Sequence, residues 1–522
     1  MNMILHNNKL WKNAKTITTV LVGIFMLSAC TKGFDEINRP GEKIDREMLE
    51  RDGYLTGSFF KQLTAYSYPA QENLFQHFES LVGGIYAHYG MFTATGWYAG
   101  HNPATYNMPE SWISEPFSAS MREFYKEWKN VADLTQLQGI DGAWAIILRA
   151  QMVQRLTDAY GPQPYSQISA LNHENTAYDS QEQVYKEIIN DLTQASDMLA
   201  GIGAVSSMAD YDDVYAGDFS KWRKFANSLK LRMAIRMSAA DPAFAQKAAE
   251  EAIQAGVIEK NEDNAAIQYP KNPLYVVSYP YKDYCASADI DAFLLGYKDP
   301  RAEKFFVKSN IENAGRTVVG IRFGAKPVDD AKAKDLYSRF NVAQTDRLLW
   351  LPAAEMAFAR AEAKLLGWNV GTFSAKEYYE EGIRLSFEQW GAGDADAYLN
   401  DEASTQADYT DPANSAPAIS AVSKITIKWQ EGDSDELKRE RIATQKWLAL
   451  FPLGMEGWSE VRRTGYPKLF KSATTQLYNL VTPNRLPFPP TERKNNLTHY
   501  NDAVSKLNGA DNFETKLWWN KK

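Results

Sequence analysis

Apolar residues recur at helical spacing over several long stretches of the chain. Trp144, Leu148, Met152 and Leu156 stand four apart and predict a helix that Gly161-Pro162 ends sharply. Val184, Ile188, Leu192, Ala195 and Leu199 form a second stripe, with Asp179 and Glu182 spaced as a capping box in front of it. Trp222, Phe225, Leu229, Met233 and Met237 make a third, stopped at Asp241-Pro242, and the alanine-rich residues 243–255 are helical in turn. A further pair runs from Ala353 to Leu366 and, behind a capping box of Ser374 and Glu377, through Tyr379, Ile383, Phe387 and Trp390. Pairs of helices joined by short turns predict a mostly α fold built on tetratricopeptide-like (TPR-like) units, although no strict repeat of about 34 residues is present.

Elsewhere the pattern changes. Residues 86–117 and 257–345 carry little helical period and are rich in Tyr, Asn, Pro and Gly. Residues 391–434 read as an extended loop with one β-prone run, Lys424 to Trp429. Loops this long inside a compact protein are functional or disordered. Their aromatic content favours ordered, functional segments. No charge run or low-complexity tract marks a linker, so residues 46–522 are expected to form one domain: a helical scaffold packed against a loop-rich region with minor β structure.

The N-terminus changes the picture most. Lys9, Lys12 and Lys15 form a positive region without acids, Ile17 to Leu27 is mostly apolar, and Leu27-Ser28-Ala29-Cys30 follows. That order is a secretory leader, residues 1–29. The apolar run falls short of the ~20 residues that span a bilayer. The closing tetrapeptide resembles a bacterial lipobox, in which the thiol of Cys30 is acylated and becomes the new N-terminus; residues 30–45 would then be the lipid tether. Two or more acyl chains are needed for stable anchoring. With the leader removed the chain carries 54 basic against 65 acidic residues, a net charge of −11. Such a surface argues against nucleic acid, which needs clustered Lys and Arg. Cys285 is the only other cysteine. With Cys30 acylated no disulfide is available, and stability must come from packing.

Three stretches resemble the SusD/RagB family of outer-membrane nutrient-binding lipoproteins, in its SusD-like branch. They are the lipobox with its sequel to Asn38, Arg155-Leu-Thr-Asp-Ala-Tyr-Gly-Pro-Gln-Pro-Tyr165, and the tail Trp458-Ser-Glu-Val-Arg-Arg-Thr-Gly-Tyr-Pro467 with Arg485-Leu-Pro-Phe-Pro-Pro-Thr-Glu492. They stand in the family's order and cover the chain from end to end. The resemblance implies TPR-like helix pairs packed on an irregular region. It also implies a location at the outer membrane, facing outward, and a SusC-like TonB-dependent transporter that the lipoprotein caps like a lid. Within the matching residues, Asp158, Arg462, Arg463 and Glu492 are expected to form buried ion pairs that lock the helices. A role in contacting the barrel is the alternative.

A sugar ring presents C–H faces that stack on aromatic rings, and its hydroxyls need amides or charged groups beside them. Residues 86–117 fit that composition, being a quarter aromatic against 13% for the chain. Trp97, Tyr98 and Trp112, with Asn102 among them, are the candidate ligand residues there. Tyr281 and Tyr284 are those of the second segment. Aromatic residues in long loops also pin a loop to the body or meet a protein partner. An oligosaccharide is the expected cargo and a peptide is the second choice.

The residues name no reaction. Gly-x-Ser-x-Gly, His-Glu-x-x-His and phosphate-loop patterns are absent. The histidines have no metal-ligand spacing, so neither a metal nor a cofactor is expected. Asp210, Asp212 and Asp213, or Asp394 and Asp396, lack the spacing of a calcium loop and are expected to be solvated turns. The expectation is a binding protein rather than an enzyme. A surface glycoside hydrolase or other hydrolase, its paired carboxylates hidden in the sequence, stays open. So does a structural lid without a ligand site of its own.

Overall fold

The amphipathic segments form helices whose apolar stripes face one another. A computed structural model describes residues 54–93, 101–168, 176–325, 330–413, 418–474, 478 and 480–522 of a mostly helical chain. The leader, Cys30 and the tether lie outside the described residues, as do Trp97 and Tyr98. Thr56–Lys522 is a compact unit. Its longer elements, in chain order, are α1 (Tyr54–Ser67), a π-helix (Gln76–Gly84), β1 (Gly90–Phe92), α2 (Glu110–Ala119) and α3 (Tyr125–Thr135). Next come α4 (Gly139–Tyr160), α5 (Gln181–Met198), α6 (Phe219–Met237), α7 (Pro242–Ala255), β2 (Ala265–Ile267), α8 (Pro273–Ser278) and β3 (Tyr284–Ala286). The chain continues through α9 (Ala288–Gly296), β4 (Leu348–Leu351), α10 (Ala353–Leu365), α11 (Ala375–Trp390), α12 (Asp435–Leu450) and α13 (Gly454–Thr464).

Helices α4 and α5, α6 and α7, and α10 and α11 pack as consecutive pairs, and α12 with α13 closes the series. These are the helix pairs that the periodicity predicts. Local signals set their ends with two corrections. Ser180, not Asp179, caps α5 through a bond from Gln183 N (3.2 Å). Asp179 instead accepts from the backbone of Tyr165 (3.2 Å) and Ser166 (2.6 Å), which pins the turn after α4. Asp241-Pro242 does not merely stop α6; Asp241 caps α7 and Pro242 opens it, where a missing N–H costs nothing. The Ser374–Glu377 box is present on both sides.

Lys424 to Trp429 is not a strand. Its carbonyls are taken by side chains instead: Tyr297 donates to Ile425 O (3.0 Å), Arg441 to Thr426 O (3.1 Å) and Tyr379 to Ile427 O (2.5 Å). The strands that do form make two antiparallel ribbons, β1 with β3 and β2 with β4.

Buried charges stitch the helix pairs together. Arg232 of α6 meets Glu355 of α10 at 2.5 Å, and Arg236, one turn on, meets Asp158 of α4 at 2.5 Å and also Glu456 of α13. Lys446 of α12 and Arg463 of α13 both reach Glu460, at 3.0 and 2.8 Å, while Arg463 also pairs with Glu362 at 2.6 Å. Arg155 of α4 binds Glu79 of the π-helix. Each of these ions has a partner of opposite sign, as burial requires. Asp158 and Arg463 are thus paired as expected. Arg462 is not: it donates to Asn484 O (2.8 Å), Trp458 O (3.2 Å) and Ser459 Oγ (2.9 Å), lying over the Trp458 ring at 3.6 Å. Glu492 accepts from the Tyr178 hydroxyl at 2.8 Å and joins no ion pair among the described residues.

Residues near the far end complete this core. Trp519 Nε1 donates to Asp158 Oδ1 at 2.8 Å, Trp518 N to Gln181 Oε1 at 2.8 Å, and Arg485 Nη2 to Tyr160 O at 2.8 Å.

Asp212 is no solvated turn. It is 3% exposed and gathers the backbone N–H groups of Val214 (3.0 Å), Tyr215 (3.0 Å) and Gly217 (2.9 Å) together with Trp222 Nε1 (2.8 Å).

Candidate functional site

The two irregular segments meet in the β1–β3 ribbon, which pairs Gly90 with Ala286, Met91 with Cys285 and Phe92 with Tyr284. Pairing there depends on two glycines. A Cβ on Gly90 would lie 2.3 Å from the Tyr284 ring, and one on Gly84 would lie 1.8 Å from its hydroxyl oxygen. Tyr284 therefore fills a slot cut for it, 3% exposed, with its far face stacked on Phe340 at 4.6 Å. Burial also pushes the Cys285 thiol up, so at neutral pH it stays protonated and unreactive.

Beyond the ribbon the two chains stay tied. Thr93 N donates to Asp283 O at 3.2 Å and its hydroxyl to Lys282 O at 2.7 Å. Thr93 is thereby held against Lys282 and Asp283. Asp283 is buried at that point. Burial raises its carboxyl, while a bond from Gln76 Nε2 (2.9 Å) and the Lys334 ammonium (3.4 Å) pull it back down. Lys282 meets Asp335 at 2.6 Å on the exposed side. Tyr281 is half-buried, its hydroxyl raised first by burial and then by the charge of Glu72. The arrangement is a rim of mixed charge around one presented tyrosine.

The π-helix supplies this rim with Gln76 and the neighbouring His77. Such wide turns occur often at functional sites. His77 bonds Glu115 of α2 at 2.5 Å and stacks on Trp112 at 4.9 Å with rings 21° apart. Burial lowers the His77 pKa, and Glu115 opposes the shift.

The candidate residues thus separate. Tyr281 is half-buried and precedes the Lys282–Asp283 pair that holds Thr93. Tyr284 is buried in the β1–β3 ribbon, opposite Phe92. Trp112 is 4% exposed and packs under His77. Asn102 is buried and accepts from Ala104 N at 2.9 Å, capping the short 3-10 turn at Pro103–Thr105. Gln76, Asp283 and Lys334 escaped sequence reasoning, because nothing in their spacing signals that a π-helix and two distant loops converge.

Groups of His, Cys, Asp and Glu that could hold a metal ion do not occur among the described residues. Nor is any described helix long and apolar enough to cross a membrane.

A family model described as SusD-like, SusD and RagB outer membrane lipoprotein, matches residues 36–520. Among solved structures, a SusD homologue from Bacteroides thetaiotaomicron is 38% identical, with a TM-score of 0.83 over 90% of this chain and 99% of the other. A SusD-like protein from the same organism is 34% identical, with a TM-score of 0.85 over 90% and 99%. A chitin-binding SusD homologue from Flavobacterium johnsoniae is 32% identical, with a TM-score of 0.82 over 90% and 98%. No curated protein matches the chain.

Proposed function

The chain belongs to the SusD-like family of outer-membrane lipoproteins, and from that membership we propose that it captures a nutrient for a transporter and performs no chemistry on it. Cys30 carries the acyl chains that hold it on the outer membrane, facing outward. The partner is a SusC-like TonB-dependent transporter. The cargo is an oligosaccharide, and the observation that carries this choice is the chitin-binding relative that shares the fold over nearly its full length.

Trp97, Tyr98 and Tyr281 are the stacking residues in this reading. Support comes from the anchoring of Thr93 to Lys282 and Asp283, four residues before Trp97. Lys282 and Lys334, both partly exposed, offer hydroxyl partners on the same rim. Asn102, Trp112 and Tyr284 are buried and serve the packing around them. Stacking with a few hydrogen bonds gives modest affinity, which suits a protein that must hand its cargo on.

The test is a mild-detergent pull-down from membranes through a tag after Lys522, with bound proteins and small molecules identified by mass spectrometry. A TonB-dependent barrel recovered with a glycan supports the proposal. A barrel with a peptide changes only the cargo. If the protein comes down alone while the extract degrades added polysaccharide, the capture reading fails and a hydrolase replaces it. Alanine at Trp97 and Tyr98 is expected to abolish glycan binding while the barrel is retained. Unchanged glycan binding would instead remove these residues from the site.

A further inference from the structure

A separate cleft of about 470 Å³ opens between the β2–β4 ribbon, the end of α11 and the turn between α12 and α13. Its size falls within the range of small-molecule sites. Apolar surface comes from the half-buried Trp390, Val342, Leu349 and Pro452. Trp390 is braced from behind by Phe305, edge-on at 4.7 Å, and by Phe451 at 5.8 Å.

Four polar side chains at the rim are each fixed by one end and leave another polar atom without a partner among the described residues. Gln389 accepts from Asn264 at 3.1 Å through Oε1, which leaves Nε2. Asn341 donates to Glu303 O at 2.9 Å through Nδ2, which leaves Oδ1. Asp346 accepts from Ala343 N at 2.8 Å through Oδ2, which leaves Oδ1. Arg347 donates to Val214 O at 2.6 Å through Nη2, which leaves Nη1 and Nε. The rim therefore offers both donors and acceptors, already oriented. An anion would meet Glu262 and Asp346, and a cation would meet Arg347. Hydroxyl groups both donate and accept, so a neutral polyol matches this set better than either ion.

We infer that this cleft is a second binding site, for one or two neutral pyranose rings, with an apolar sugar face against Trp390 and hydroxyls on Gln389, Asn341, Asp346 and Arg347. It does not require the residues that follow Thr93. Its ligand class follows from the cleft's own chemistry.

The experiment uses the full chain carrying Trp97→Ala and Tyr98→Ala, which removes the proposed first site. Saturation-transfer NMR and calorimetry with maltose, cellobiose and N,N′-diacetylchitobiose then report on the cleft alone. At least one of the three is expected to bind. Gln389→Ala and Asn341→Ala should each weaken that disaccharide about three- to tenfold, the loss of one ligand hydrogen bond, with a melting temperature lowered only by the one internal hydrogen bond each side chain also makes. If none of the three binds the double variant while the parent protein still binds glycan, the cleft is not a site and the capture reading stands. Binding that is indifferent to both rim substitutions would equally overturn the inference.

Discussion

Glu460 shows how far a single carboxylate is committed here. Burial alone would raise it, but Arg463, Lys446 and Arg236 around it hold it well below the usual carboxylate range. Glu460→Gln leaves those cations facing an amide and is expected to cost about 3–5 kcal/mol in urea denaturation. Asp291 is the opposite case. Burial lifts its carboxyl to about 7 against the pull of Arg316 at 3.0 Å, with Gly320 N and Asp411 also near it. A carboxyl raised in the folded state stabilises the protein below its unfolded pKa, and that contribution is lost as pH rises through the folded value. The melting temperature of the parent is therefore expected to fall relative to Asp291→Asn between about pH 4 and 7. A constant difference across that window would contradict the assignment. Of the four motif residues expected in ion pairs, Asp158 and Arg463 are so placed. Arg462 and Glu492 are not, because a chain pattern marks that a charge is buried and not which neighbour satisfies it.

Helices with a clean stripe were legible, since period and burial describe the same face. Most of their ends were legible to within a residue, although α6 stops at Met237, short of Asp241-Pro242, and one residue decides which group caps α5. Ser180→Ala is expected to cost about 1 kcal/mol, an ordinary cap. Asp179→Ala should cost more, about 2–3 kcal/mol, because two backbone N–H groups after α4 lose their acceptor. Equal losses in denaturant titrations would return Asp179 to the capping role. The π-helix was not legible at all. It is held by contact between glycines: a Cβ on Gly83 would lie 2.4 Å from Met455 N, and one on Gly454 would lie 2.3 Å from Gly84 N. Gly454→Ala should push α13 away from the π-helix at a cost of at least about 1–3 kcal/mol, with loss of near-ultraviolet dichroism as the direct readout. The aromatic richness of the loops was legible. Which rings face out was not, since Tyr281 and Tyr284 differ only in whether a glycine slot lies beneath them.

At the scale of the molecule, residues far apart in sequence finish one another's cores. The Trp519 indole donates to Asp158, 361 positions earlier. Trp519→Phe keeps the ring and removes the donor, and is expected to cost about 1–3 kcal/mol and to loosen α4 in hydrogen exchange. Protection of α4 unchanged from the parent would show that the contact is incidental. The same bond also sets a timetable. A ribosome adding roughly 5–20 residues per second needs about 20 to 70 seconds to travel from Asp158 to Trp519. Throughout that interval the acidic end of α4 has been made and its last donor has not. Arg236 is made early enough to pair with Asp158, but the indole donor arrives only when synthesis is almost over.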